Sequence, residues 1–235
     1  MTFIDVIALL KDISIGIAAV YGTLIAKKGL DTWRRQLKGQ SEYELSRRIL
    51  ITLFKYRDAI DSVRNPLMLG VETPYPPDNE AKNMNRDEID FYGVSKAYQA
   101  RWNKIYTEKE SLYVDLLESE AIWGNDLKNL FKKVFSLESE LRLAFTFHLN
   151  SINPKTESLD RDFYNIQLKN RRSIIYEFPS ENPDAFKQDM FSAIDSVEAY
   201  LKPKLSHEED NPLSVIFIKN VWCDVVKWLR RGNIQ

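Results

Sequence analysis

Between Ile13 and Ala26 the chain carries no charge for 14 residues, and from Lys27 to Lys38 it carries five cations (Lys27, Lys28, Arg34, Arg35, Lys38) against one acid, Asp31. An apolar run closed by a basic cluster constrains this chain more than any other feature. A membrane-spanning helix wants about 20 apolar residues, and 14 fall short, so the flanks decide. Lysines at a helix end reach back to the interface along their methylene stems, which extends the apolar span toward Leu30, and Trp33 suits an interfacial belt. The basic cluster follows the run where a cleaved secretory signal would carry it before, and no small-x-small cleavage site follows. The expectation is an uncleaved N-terminal transmembrane helix, with Ile13, Ile17, Val20, Leu24, Ile25 and Trp33 as membrane contacts. By the positive-inside rule, Lys27, Lys28, Arg34, Arg35 and Lys38 form a cytoplasmic collar, giving a single-pass bacterial inner-membrane protein whose bulk is cytoplasmic. Ser14, Ala18, Gly22 and Ala26 recur at four-residue spacing, a small-residue stripe that lets two helix backbones approach in lipid, so a homo-oligomer is expected. Lys11 and Asp12 are costly deep in hydrocarbon, which leaves open a helix that lies in the membrane without spanning it.

Composition excludes several function classes. Of 235 residues 44% are hydrophobic and 29% charged, enough apolar material for one ordinary core. The net charge of -1 gives no overall attraction to nucleic acid, so no nucleic-acid partner is expected. Cys223 stands alone, which excludes an intramolecular disulfide framework or multi-cysteine zinc site; on its Trp-rich helix it reads as a small hydrophobe. Eight glycines, none paired at phosphate-loop spacing, and two histidines leave no nucleotide cradle and no histidine metal centre. Neither cofactor nor metal is expected.

Past Gly39 the pattern is helical. Ser41 and Glu44 have capping-box spacing, and Leu45, Ile49, Leu53, Tyr56, Ile60 and Val63 follow at helical intervals until Asn65-Pro66 stops the run. Residues 67–83, with Pro74, Pro76 and Pro77, read as a loop. Periodicity resumes near Asn85 and runs through Tyr98, Trp102, Ile105, Leu112 and Leu116, then Trp123, Leu127, Leu130, Val134, Leu137 and Leu141, with Gly124-Asn125 as the break. Residues 151–180 are mixed, with room for a short helix and a β-like run Ile174-Ile175-Tyr176. Asn182-Pro183 predicts the cap and first position of a helix carrying Phe186, Met190, Ala193, Val197 and Leu201, ending near Pro203. A last amphipathic helix puts Ile218, Val221, Trp222, Val225 and Leu229 on one side, to dock on the bundle, on a membrane surface or on a partner helix. The expected fold is all-α: residues 1–38 as anchor and collar, 39–206 as a bundle of four or five long helices, and 207–235 as the amphipathic tail.

The stretch Gly29 to Gly39, with Glu42-Tyr43-Glu44-Leu45, Arg57-Asp58-Ala59-Ile60 and Val63-Arg64-Asn65-Pro66, resembles an uncharacterised family of bacterial proteins. That resemblance implies one N-terminal membrane helix and a helical cytoplasmic domain, and no activity, substrate or cofactor. Arg142 and His148 have the R-x5-H spacing that resembles the catalytic motif of HEPN ribonucleases, which implies His148 as acid/base and Arg142 as phosphate clamp in a dimer. Leu143 stands where that family carries a polar residue, and His148 is in step with the apolar positions Leu137, Leu141 and Ala144.

Asp87, Glu88, Asp90 and Asp160, Asp162 are candidates for a hard cation, and Asp78-x-Glu80-x-Lys82 has a nuclease-like order, but acids are expected at helix starts. Lys169-Asn170-Arg171-Arg172, with Tyr164 and Tyr176 nearby, offers a contact for phosphate or anionic lipid head groups. The expected function is that of a membrane-anchored interaction protein, a scaffold, sensor or effector component with a protein partner its own residues do not specify. The alternatives are a membrane-tethered ribonuclease and a membrane-perturbing effector.

Overall fold

Residues 27–64 contain no proline, and the strong helix formers that fill them let one helix run through positions where sequence spacing suggested a new start. In a computed structural model, which describes residues 3–177 and 184–205, helix α1 extends over Phe3–Arg64. Ser41 therefore caps nothing. Glu44 instead accepts a hydrogen bond from the Gln40 side chain one turn earlier, 3.1 Å away.

The remaining helices are α2 (Asp78–Ala81), α3 (Arg86–Trp123), α4 (Asp126–Ile152), α5 (Ser158–Lys169) and α6 (Ala185–Leu205). The described residues are all-helical, with no strand among them. The chain divides into two units, with boundaries after Gly39 on α1 and after Pro203 on α6.

In the first unit every residue from Ser14 to Lys38 is exposed. Among the described residues no helix is long and apolar enough to cross a membrane. The expected transmembrane segment is thus a helix without being a demonstrated span. At 1.5 Å per residue its uncharged run covers only about 21 Å of a roughly 30 Å hydrocarbon core.

In the second unit, residues 40–203, the periodic positions converge. Leu45, Ile49, Leu53, Tyr56, Ile60 and Val63 of α1 are buried, as are Tyr98, Trp102, Ile105, Leu112 and Leu116 of α3. Leu127, Phe131, Val134, Leu137 and Leu141 of α4 and Phe186, Met190, Ala193, Val197 and Leu201 of α6 complete the core. Tyr56 meets Phe135 edge to face, and Phe145 packs against both Tyr98 and Trp102.

The ends of these helices follow local chemistry. Asn85 and Glu88 form a reciprocal capping box at the start of α3, and Gly124 closes it at φ 74°, a conformation that glycine adopts without strain. α6 starts at Ala185, where the Asp184 carboxylate accepts from the Lys187 N–H. Asn182 and Pro183, expected as the cap, lie outside the described residues.

The loop after α1 is fixed by Arg101, nearly fully buried, whose guanidinium donates to the carbonyls of Asn65 and Leu67, both at 2.7 Å, and to both oxygens of Glu72. A Cβ on Gly93 would stand 3.2 Å from the Thr73 Cβ, so its absence lets this loop lie close on α3. The single turn α2 interrupts what the prolines alone suggested to be irregular throughout. The β-like run Ile174-Ile175-Tyr176 forms no strand: no described neighbour offers a ladder, and the segment is held by side chains.

Candidate functional site

Helix geometry separates the two residues of the R-x5-H pattern. Six residues at 100° each place Arg142 and His148 about 120° apart around α4. Arg142 is exposed, whereas His148 is half-buried. The His148 Nε2 lies 2.9 Å from the Tyr176 hydroxyl, and the Tyr98 hydroxyl donates to that of Tyr176 at 3.2 Å. Burial pushes the His148 pKa down and favours the neutral ring, which suits Nε2 to accept from Tyr176. Phe145 and Tyr176 both meet the imidazole edge to face. Within the chain, His148 is the acceptor at the end of a tyrosine relay and shares no face with Arg142.

That relay fixes one point of the segment 170–177, which follows α5 with no regular structure of its own. Further contacts hold it. The Arg64 Nε donates to the Ile174 carbonyl at 2.8 Å, and the Glu177 N–H donates to the Arg64 carbonyl at 3.1 Å. Arg172 makes a two-pronged bond to Glu140 at 2.8 and 2.7 Å and reaches Asp189 at 2.6 Å. Its guanidinium also lies over the Phe186 ring.

Arg172, Ile174, Tyr176 and Glu177 thus bind the segment to the bundle. Lys169, Arg171 and Ser173 are exposed and form no ion pair with any described carboxylate. Between this segment and α4 lies a cleft of about 280 Å³. Ala144, Leu168, Ile174 and Ile175 supply its apolar lining, and Lys169, Arg171, Arg172 and Ser173 its polar one. Arg171 is held over the face of Phe147, 5.6 Å from the ring centre, and Phe147 in turn packs on Tyr164. The basic cluster Lys169, Arg171, Arg172 was legible in the sequence. Ser173 and the pinning by Arg64 and His148 were not, because each depends on contacts remote in sequence.

The other expected site residues fall as follows. Ile17, Val20, Leu24, Ile25 and Trp33 are all exposed on α1, between 53% and 66%; Ile13 is in the same helix. Ser14, Ala18, Gly22 and Ala26 are exposed, and a Cβ on Gly22 would meet nothing within 4 Å. Lys27, Lys28, Arg34, Arg35 and Lys38 are exposed as well.

The acidic candidates serve helix starts: Asp87 and Glu88 occupy the first turn of α3, and Asp160 that of α5. Among the described residues no three His, Cys, Asp or Glu side chains gather to hold a metal ion. The amphipathic tail with Ile218, Val221, Trp222, Val225 and Leu229, and Cys223 within it, lies outside the described residues. Comparison with protein-family models, with curated proteins and with solved structures gives no match.

Proposed function

We propose that the chain is a membrane-anchored helical interaction protein, in which α1 holds the bundle of residues 40–203 at the cytoplasmic face of a bacterial inner membrane. One observation carries this reading. Ile15, Ile17, Val20, Tyr21, Leu24 and Ile25 are each more than half exposed, and the run Ile13 to Ala26 that contains them carries no charge on any side of the helix.

A helix apolar all round belongs in the interior of a protein or in lipid. A run of this size left open to water is a place where something else docks. The basic collar that follows in the same helix supplies the orientation, since anionic head groups attract it and the positive-inside rule retains it. Lys27 and Lys28 extend the apolar length by reaching out to the interface. Arg142 and His148 lie on different faces of α4, and partner binding at the membrane is the activity this reading assigns to the bundle.

The test is fractionation of cells expressing the full chain, with a high-salt wash to strip proteins held by charge alone. The full chain is expected in the washed membrane pellet, and a chain lacking residues 1–38 is expected folded in the supernatant. A full-length chain that stays in the soluble fraction overturns the anchor.

A further inference from the structure

We infer that the cleft between α4 and residues 168–175 binds a phosphate group, held by Lys169, Arg171 and Ser173. This proposal does not rest on the anchor, since it uses no residue of α1 as a ligand contact. Three observations support it.

The first is a division of labour along the segment. Arg172 is neutralised by Glu140 and Asp189 and secures the wall, whereas Lys169 and Arg171 keep their charges without any described carboxylate within ion-pairing distance. The second is rigidity. Irregular backbone ordinarily costs a ligand the entropy of fixing it, and here the Ile174 carbonyl, the Glu177 N–H, the Tyr176 hydroxyl and the Arg172 side chain are already bonded to helices. Arg171 is likewise oriented in advance by Phe147. The third is chemistry and size. A planar guanidinium fork, an ammonium and a hydroxyl are the donor set that suits a tetrahedral oxyanion. The volume of about 280 Å³ falls just short of drug-sized sites, which run from roughly 300 Å³ upward, and so suits a small ligand.

Helix-end electrostatics explains Lys169 alone, since a cation is favoured at the C-terminus of α5. It explains neither Arg171, two residues past the helix, nor Ser173 beside it. The apolar lining from Ala144, Leu168, Ile174 and Ile175 suits a ligand whose phosphate is attached to a short apolar or flat moiety. A soluble phosphorylated metabolite and a phospholipid head group share that chemistry.

The experiment titrates the full chain, in zwitterionic detergent micelles, with pyrophosphate and follows heat of binding. Saturable binding is expected, weakened roughly tenfold or more in Lys169→Ala/Arg171→Ala, because each lost charged hydrogen bond is worth that much. The charge-matched control Lys132→Ala/Lys133→Ala, on exposed positions of α4, is expected to bind as the parent does. A flat titration, or an equal loss in both double variants, overturns the site.

A short-chain, water-soluble phosphatidylglycerol is then added as competitor. Displacement of pyrophosphate assigns the site to lipid head groups, and no displacement assigns it to a soluble phosphate compound. The titration does not depend on where the chain fractionates, so failure of the anchor and failure of this site are separate results.

Discussion

Arg64 ends α1 one residue before Asn65-Pro66, and in the sequence it looks like any solvated cation in the last turn of a helix. In the structure it is 1% exposed. Its Nε donates to Ile174, 110 residues away, and its Nη2 to Asp184, 120 residues away, while its guanidinium lies 4.7 Å from the centre of the Phe186 ring. Its carbonyl accepts from Glu177. One side chain therefore ties the ends of α1, the 170–177 segment and the start of α6 together. Nothing local signals this, because both partners lie so far away along the chain. Removing one partner of a buried pair costs about 3–5 kcal/mol. Asp184 and Glu177 retain 21% and 30% of their side-chain exposure and can hydrate. Arg64→Met is therefore expected to lose about 3 kcal/mol, at the low end, measured by denaturant unfolding of the bundle. Arg64→Lys, which keeps the charge and loses the fork, is expected to fall between. A loss below about 1 kcal/mol, the size expected of an exposed ion pair, removes Arg64 from this role.

Helices with one wet face and one dry face declared themselves by period, and those that owe their form to remote contacts did not. The three-four rhythm of α1 after Leu45, of α3, of α4 and of α6 identified the buried positions, since a core-facing stripe must repeat at that interval. The Ser41-x-x-Glu44 spacing misled because two polar residues on an exposed helix face have that spacing without ending anything. α5 buries no residue fully and the segment after it has no period, so neither left a clear trace. The first part of α1 poses a different question, because its small residues Ala18, Gly22 and Ala26 are exposed. A Cβ on Gly22 meets nothing, so replacing it costs the isolated helix nothing and raises helix propensity by about 0.8 kcal/mol. Ala18→Leu/Gly22→Leu is therefore expected to weaken self-association in a membrane two-hybrid reporter solely by blocking close approach of two helices. The control Ile17→Leu/Val20→Leu, off the small-residue stripe, is expected to keep the signal. An unchanged signal in Ala18→Leu/Gly22→Leu rules out the stripe as a contact.

At the scale of the molecule, stability against pH tests whether the relay that shapes the cleft is part of the cooperative bundle. Burial lowers the His148 pKa below its ordinary value of 6.5. Between 6.5 and the lowered value the unfolded chain binds a proton that the native chain does not, so stability falls as the solution is acidified through that window. The paired carboxylates act lower. Glu72 is held well below the usual carboxylate range by the Arg101 guanidinium and the Leu69 N–H. Burial pushes Asp184 up, but the bonds from Arg64 and the Lys187 N–H outweigh it and leave it lowered. Both contribute stability that is present above their unfolded values and lost as pH falls through the native ones. Asp61 opposes them, because burial raises its pKa and the native state takes up its proton first. Glu72 and Asp184 act in more acid solution, and Asp61, present in both chains, cancels when the parent is compared with His148→Gln between pH 7.5 and 5.5. His148→Gln keeps an acceptor for the Tyr176 hydroxyl and removes the titration. The parent chain is expected to lose more thermal stability over that interval than His148→Gln does, with the two converging again above pH 7.5. Parallel loss in both chains shows that His148 titrates without sensing the fold, and the tyrosine relay then does not hold the cleft wall.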